Sequence, residues 1–469
     1  MIHLQKYIAA SAASMLLAMF WLCSVCGCKQ FLETDYPVNQ LVTGAIFEND
    51  ATALGAMSGV YEQMMESLTS YSNGMLTLYG GLSSDELVNH GSVSTKIEFY
   101  DNALSASNTE LKGNVWDRLY SNIYQANSVL SGLEQSKMLS TPVRVQLEGE
   151  ARFIRAFCHF YLVNLFGRVP YITTTDYLVN AHAIQMPGQK VYENILSDLK
   201  IAQSLLLDGS GSVGRIRPDK AAATALLART YLYLEDWSDA ETQASLVLDN
   251  QNYTLNTDLA QVFNALSKET IWQLRPVVPG TNAGDGYLFV QTTGTPLYAS
   301  LSSQVMDAFE TADKRKTAWV NSYQYDKQSY HLPCKYKIKS ADAVTEYNVV
   351  FRLAELYLIR AEARASLNNL SGAQADINVI RRRAGLSGIE QKNTAADQSL
   401  LLQAIADERR IELFCEWGHR WFDLKRTGQI NEIMQAIKPG SWQQTDADYP
   451  IPSSDLTNNP SLVQNPGYH

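Results

Sequence analysis

Cysteine is scarce: beyond residue 28 only Cys158, Cys334 and Cys415 remain. Three is odd, the spacing is wide, and two of them fall inside apolar helical patterns. They exclude a disulfide framework and a zinc site, and read as small buried hydrophobes. Cations are also in deficit, with 38 Lys and Arg against 48 Asp and Glu and a net charge of −10. That balance argues against nucleic acid and against an anionic-lipid patch as partners. No D-x-D-x-D-G loop and no H-E-x-x-H helix occurs, so those two metal signatures are missing. The glycine-bearing runs, such as residues 279–286, lack the order of a phosphate loop. No Ser-His-Asp or Cys-His arrangement has local support. After residue 28 no apolar run reaches the roughly 18 residues of a spanning helix. The expectation is no metal, no cofactor and no catalytic set.

What is present begins with a targeting segment. Lys6 supplies a positive start, residues 7–21 are apolar or small, and polar sequence follows at once from Lys29. This reads as a signal peptide over 1–27 and not as a spanning helix. Its end, Val25-Cys26-Gly27-Cys28, resembles a lipobox, with Gly27 as the small residue before the cleavage point. Cys28 is therefore the expected acylated residue and outer-membrane anchor, since several acyl chains hold a protein where one is marginal. Removal of the segment leaves 442 residues, 37 basic and 48 acidic. At 46% hydrophobic residues this is a globular ectodomain with enough apolar side chains for a large core. Length alone allows two or three domains.

Helical periodicity dominates. Leu147, Ala151, Ile154, Cys158, Tyr161 and Leu165 recur at spacings of three and four, and Phe153, Phe157 and Phe160 widen the stripe. So wide a stripe belongs to a helix buried between others, ended by Gly167 and Pro170. Further helices are expected over 51–67, 115–135, 191–207, 220–234, 239–248, 352–367, 371–384 and 400–416. A weak repeat is visible. Ala228, Leu234, Trp237 and Ala240 match Ala361, Leu367, Leu370 and Ala373 at one constant offset, the logic of tetratricopeptide-type hairpins. Two stretches, 71–114 and 276–350, are rich in Gly, Ser, Thr, Asn and Tyr and read as irregular. Within the second, Tyr336 and Ile338 alternate with Lys335, Lys337 and Lys339, which predicts a half-buried, lysine-edged strand.

Residues 149–172, GEARFIRAFCHFYLVNLFGRVPYI, closely resemble the signature helix of the SusD/RagB family of surface nutrient-binding lipoproteins. KQFLETDYP at 29–37, Trp116-Asp117-Arg118-Leu119-Tyr120, Phe309 with Asp313 and Arg315, and the helix from Arg352 through Ala363 match further blocks. So do NVIRRRAGL at 378–386, ERRIELFCEWGHRWFDLKR at 408–426 and the tail at 449–468. The resemblance implies a mainly α fold, a tetratricopeptide-like helical-hairpin scaffold with long irregular loops and a few short β-strands. It implies one ectodomain over 28–469, with an N-terminal helical part at 28–260 and a C-terminal part at 261–469. It implies a non-enzymatic protein on the outer membrane that takes an oligosaccharide and works with a SusC-like TonB-dependent transporter. A peptide or glycoprotein fragment is the alternative ligand, and a lipid-anchored glycosidase the third reading.

Glu408, Glu412 and Glu416 share one helix face. An acid/base pair for glycoside hydrolysis would use two of them, but like charges at this spacing repel unless neutralised. An ion-pair network with Arg409, Arg420, Arg426 and the Arg381–Arg383 run, joined by Asp423, is the expected role. Asp85-Glu86 reads as a solvated or capping pair in place of a calcium site, and His159 as a satisfied core histidine. Pyranose binding needs flat rings and fixed polar partners. Trp116, Trp237, Trp272, Trp417 and Trp421 sit in helical blocks and read as packing residues, which leaves Trp319 and Trp442 in loops. The expected platform is Tyr71, Tyr287, Tyr298, Trp319 and Tyr323, with Asn89, His90 and Asp285 as polar partners.

Overall fold

The 3.6-residue period becomes a chain of helical hairpins in the computed structural model, which describes residues 46–209, 214–390 and 395–468. Cys28 and the segment before it lie outside the described residues. The principal helices are α1 (Asp50–Met65), α2 (Leu76–Ser83), α3 (Ser94–Asp101), α4 (Asp117–Gln135), α5 (Thr141–Phe166), α6 (Gly188–Leu205), α7 (Lys220–Tyr233), α8 (Trp237–Leu248), α9 (Gly284–Phe289), α10 (Leu353–Ser366), α11 (Leu370–Arg383), α12 (Ala395–Glu412) and α13 (His419–Arg426). The strands are β1 (Leu87–Asn89), β2 (Thr270–Leu274), β3 (Ala299–Leu301), β4 (Val320–Tyr325), β5 (Gln328–Pro333) and β6 (Asn348–Arg352). They form three antiparallel pairs, β1 with β3, β2 with β6 and β4 with β5.

Helices packed in succession carry the architecture: α4 on α5, α5 on α6, α6 on α7, α7 on α8, α8 on α10, and α10 on α11 and α12. The repeat is real in space. The hairpins α7–α8 and α10–α11 have turns in which Glu235 and Asn368 take φ of 57° and 62°. The next residue then caps the second helix, Asp236 accepting from Asp239 N at 3.3 Å and Asn369 from Gly372 N at 3.1 Å. Ala228, Ala240, Ala361 and Ala373 are fully buried, so the small side chains let each helix pair close. The core gathers on α5, whose Phe153 and Phe157 meet Trp272 of β2 edge-on at 5.0 and 5.2 Å. Gly167 ends α5 at φ 69°, and a Cβ there would stand 2.8 Å from Asp448 Oδ2. His159 is a satisfied core histidine, with Nδ1 2.8 Å from Arg155 O and Nε2 accepting from Ile172 N at 3.1 Å.

Three expectations are corrected. The stretch 71–114 is not wholly irregular, because it holds α2 and α3. The helix expected to 416 stops at Glu412, because Cys415 and Trp417 both take φ of 47°. That turn lets Gly418 meet α2, where a Cβ on Gly80 would come 2.8 Å from Gly418 Cα. The lysine-edged strand over 335–339 does not form; Lys335 and Tyr336 are both buried. The ammonium of Lys335 is drawn inward to the Glu416 carboxylate and to Glu412 O.

Lys335 belongs to a buried network on the end of α12. Arg352 donates to Glu416 at 2.7 and 2.8 Å, to Glu412 at 2.5 Å and to Glu269 at 3.2 Å. Arg315 donates to Glu408 at 2.7 Å, Glu412 at 3.0 Å and Asp313 at 2.7 Å. Arg383 joins Glu269 to Glu412, and Arg381 reaches Glu408 from the rim. The glutamates are thus neutralised as expected, but chiefly by Arg315, Arg352, Arg383 and Lys335. Arg409 and Arg426 pair with Asp423, and Arg420 with Asp85. Burial pushes the Glu412 carboxyl up, and Arg383, Arg352 and Arg315 outweigh it and hold the group well below the usual range. Breaking one partner of such a network strands the others without water. Arg352→Met will therefore cost about 3–5 kcal/mol, read as a lower urea midpoint.

Candidate functional site

Three chain segments bring rings to one surface. The β1–β3 pair sets Asn89 opposite Ala299 and Val88 opposite Ser300. Beyond it His90 N donates to Tyr298 O at 2.9 Å, and His90 Nε2 lies 2.8 Å from Ser300 Oγ. The β4–β5 hairpin turns at Asp326 and Lys327, whose φ values of 47° and 65° suit the tight two-residue turn that matches strand twist. It pairs Tyr323 with Tyr330, ring centres 5.7 Å apart, and the Tyr330 ring meets His90 edge-on at 5.3 Å. From α9, Tyr287 contacts the Tyr298 hydroxyl, and Lys339 Nζ stands 5.7 Å from the Tyr287 ring.

A loop between these parts folds on Gln291. Its Nε2 donates to Thr293 O and Thr295 O at 2.7 and 2.8 Å, and its Oε1 accepts from Leu297 N at 3.2 Å. Tyr323 hydroxyl donates to Gly294 O at 3.0 Å and Asn321 Nδ2 to Gln291 O at 2.8 Å, so the hairpin and the loop hold each other. Burial lowers the His90 pKa, which keeps the imidazole neutral near pH 7. Burial raises the Tyr298 hydroxyl, with Tyr287 adding to the effect. Glu110, whose charge acts on the Tyr298 hydroxyl, takes the Lys96 ammonium and the Tyr79 hydroxyl.

The structure brings together Asn89, His90, Tyr287, Tyr298 and Tyr323, all half-buried. Three other expected members are not on this surface. Trp319 is fully buried; its Nε1 donates to Leu259 O at 3.0 Å, and Lys335 Nζ lies 4.8 Å from its ring. Tyr71 is buried beneath α5, its hydroxyl 3.6 Å from Cys158 Sγ and accepting from Asn122 at 2.9 Å. Asp285 is buried against Thr77. The amide of Asn89 is turned onto its own loop, donating to Gly91 O at 2.8 Å. Trp442 is buried too, with Nε1 on Asn431. Asp85-Glu86 is neither solvated nor a cap. Asp85 is buried between Arg410 and Arg420, both at 2.7 Å, and Glu86 accepts from Cys415 N at 3.2 Å. Tyr330, Ser300, Gln291 and Lys339 were missed, and of these only Tyr330 had a signal, its symmetric placement with Tyr323 about a two-residue turn.

Half-exposed rings beside a neutral imidazole, hydroxyls and carbonyls suit stacking and hydrogen bonding to a polyhydroxylated ring. Among the described residues no three His, Cys, Asp or Glu side chains converge for a metal. Two family models match the chain, one described as the SusD family over residues 281–468, the other as starch-binding, associating with outer membrane, over 50–232. SusD-like protein P2 of Formosa agariphila is 28% identical over 510 residues, covering 95% of this chain and 98% of that protein. Starch-binding protein SusD of Bacteroides thetaiotaomicron is 25% identical over 449 residues, covering 76% and 78%. The solved structure of a laminarin-binding SusD-like protein superposes with a TM-score of 0.74 at 24% identity, over 90% of this chain and 100% of that one. The chain belongs to the SusD/RagB family.

Beneath the surface lie two buried carboxyls without a guanidinium partner. Burial pushes Glu86 and Asp285 each up to about 7. Their folded pKa exceeds the unfolded value, so the protonated forms contribute stability at low pH that is lost as pH rises to about 7. Asp285→Asn keeps the neutral shape, so the fall in urea midpoint between pH 5 and pH 8 will be flatter than in the wild type.

Proposed function

We propose that this protein is a lipid-anchored outer-membrane lipoprotein that captures an oligosaccharide at the Tyr287–Tyr298–Tyr323 surface and delivers it to a SusC-like TonB-dependent transporter. The observation that carries the reading is the half-exposed ring cluster, held from β1, β3, α9 and the β4–β5 hairpin, in a chain of this family. Relatives described as starch-binding and laminarin-binding support a glycan over a peptide. The protein acts by binding and not by catalysis. Glu408, Glu412 and Glu416 are each held by cations, which leaves none of these three free as a general acid or base. Cys28 is the attachment point. Tethering places the protein beside its transporter at high effective concentration, so closure over the barrel needs little further affinity.

Glycan affinity electrophoresis tests the site. Tyr298→Ala should weaken binding about tenfold, as expected for one lost ring contact, with the circular-dichroism spectrum unchanged. Unaltered binding by that variant would remove this surface from the reading. Cys28→Ser should move the protein from the outer-membrane fraction to the soluble fraction. Retention of that variant in the membrane would exclude Cys28 as the anchor.

A further inference from the structure

The charge of the chain is distributed against its total. Residues 314–339, which carry the hairpin of the site, hold seven Lys or Arg and one acid, Asp326, within a chain of net −10. Arg315 and Lys335 are committed to the buried network. The other five, Lys314, Lys316, Lys327, Lys337 and Lys339, have no carboxylate at ion-pair distance among the described residues. The ammonium of Lys337 is taken by the carbonyls of Ala318 and Cys334. Lys316 stands near His331 on the hairpin, where burial and then its charge lower the imidazole pKa. Lys339 is the member at the rings, its ammonium 5.7 Å from Tyr287, which in turn meets Tyr298. Of the carboxylates close by, Glu110 is paired with Lys96, and Glu346 accepts from the backbone N–H groups of Lys337 and Ile338.

An unpaired ammonium beside stacking rings is a recognition element for an anion attached to the ring that stacks. We propose that the ligand of this site is an acidic glycan, one bearing carboxylate or sulfate ester groups, and that Lys339 pairs with its acid group. The inference rests on the glycan reading above. The lysines further along the hairpin add a positive field within about 8 Å at physiological salt, which draws a polyanion toward a protein that repels it elsewhere. The rings hold the sugar plane, and Lys339 selects the charged monomer by a charge-assisted hydrogen bond.

The test uses the purified full-length chain in mild detergent, with polygalacturonate and its carboxyl-reduced form, dextran sulfate and unsulfated dextran, and polyglutamate as a polyanion without sugar. One acidic glycan should bind at least about tenfold more tightly than its neutral counterpart, which also separates carboxylate from sulfate recognition. Lys339→Met should remove about that factor, so that acidic and neutral forms then bind with similar affinity, and Lys339→Arg should retain most of it. Equal affinity for acidic and neutral forms, or full acidic-glycan affinity in Lys339→Met, overturns the charge inference and leaves the glycan reading intact. Polyglutamate bound as tightly as either acidic glycan overturns it in favour of an acidic protein surface. Binding of neither acidic nor neutral glycan by folded protein removes both readings.

Discussion

Arg352 and the carboxylates of α12 are the joint on which the rest of this molecule hangs. The helical hairpins are held by contacts between successive elements, and small residues at their crossings are enough to seat them. The loop-rich half has no such support. It is fixed where Arg315 enters and where Lys335 leaves, and both cations reach α12. Those two residues bracket β4–β5. The hairpin that presents Tyr323 and Tyr330 is therefore clamped at both stems to one helix, and Trp319 covers the clamp with its ring 4.8 Å from Lys335 and 5.8 Å from Arg352.

A second clamp serves the opposite wall. Asp85 accepts from Arg410 of α12 and Arg420 of α13, and Glu86 accepts from Cys415 N. The next residues are β1, so the strand that leads to His90 is fixed to the same helix end. Ser302 then ties β3 back, its N donating to Glu86 O at 2.9 Å. Charges so deeply buried bring no certain gain in stability over apolar packing, because desolvation offsets the attraction. Their effect is to define which loop meets which, a constraint that apolar contacts in an irregular segment would specify poorly.

The helices were legible because burial writes a period into them, and the hairpin repeat because a close helix crossing needs alanine. The site was legible only in part. In 276–350 no period distinguishes an inward ring from an outward one, so Trp319 and Tyr298 look alike until the fold orients them. Lys335 misled for the same reason. A lysine alternating with apolar residues is ordinarily solvated, and only a distant Glu416 reverses that. The Asp85-Glu86 pair needed Arg410 and Arg420, more than 300 positions away, to reveal its burial. The resemblance to a family compensated where pattern failed, since it fixed the architecture but not which loop residues face outward.

This division has a physical consequence for how the surface can vary. Tyr287, Tyr298 and Tyr323 are half-exposed, so replacing one removes little packed area and leaves its backbone anchors in place. Trp319, a few residues from Tyr323, is wholly enclosed, and its loss would open a cavity over three buried cations, Lys335, Arg352 and Arg383. The residues proposed to contact the ligand and the residues that hold the loops in shape are thus interleaved in sequence but separated in space. On that proposal, a change of ligand would proceed through the first set, one ring or one lysine at a time, without disturbing the charged joint beneath it.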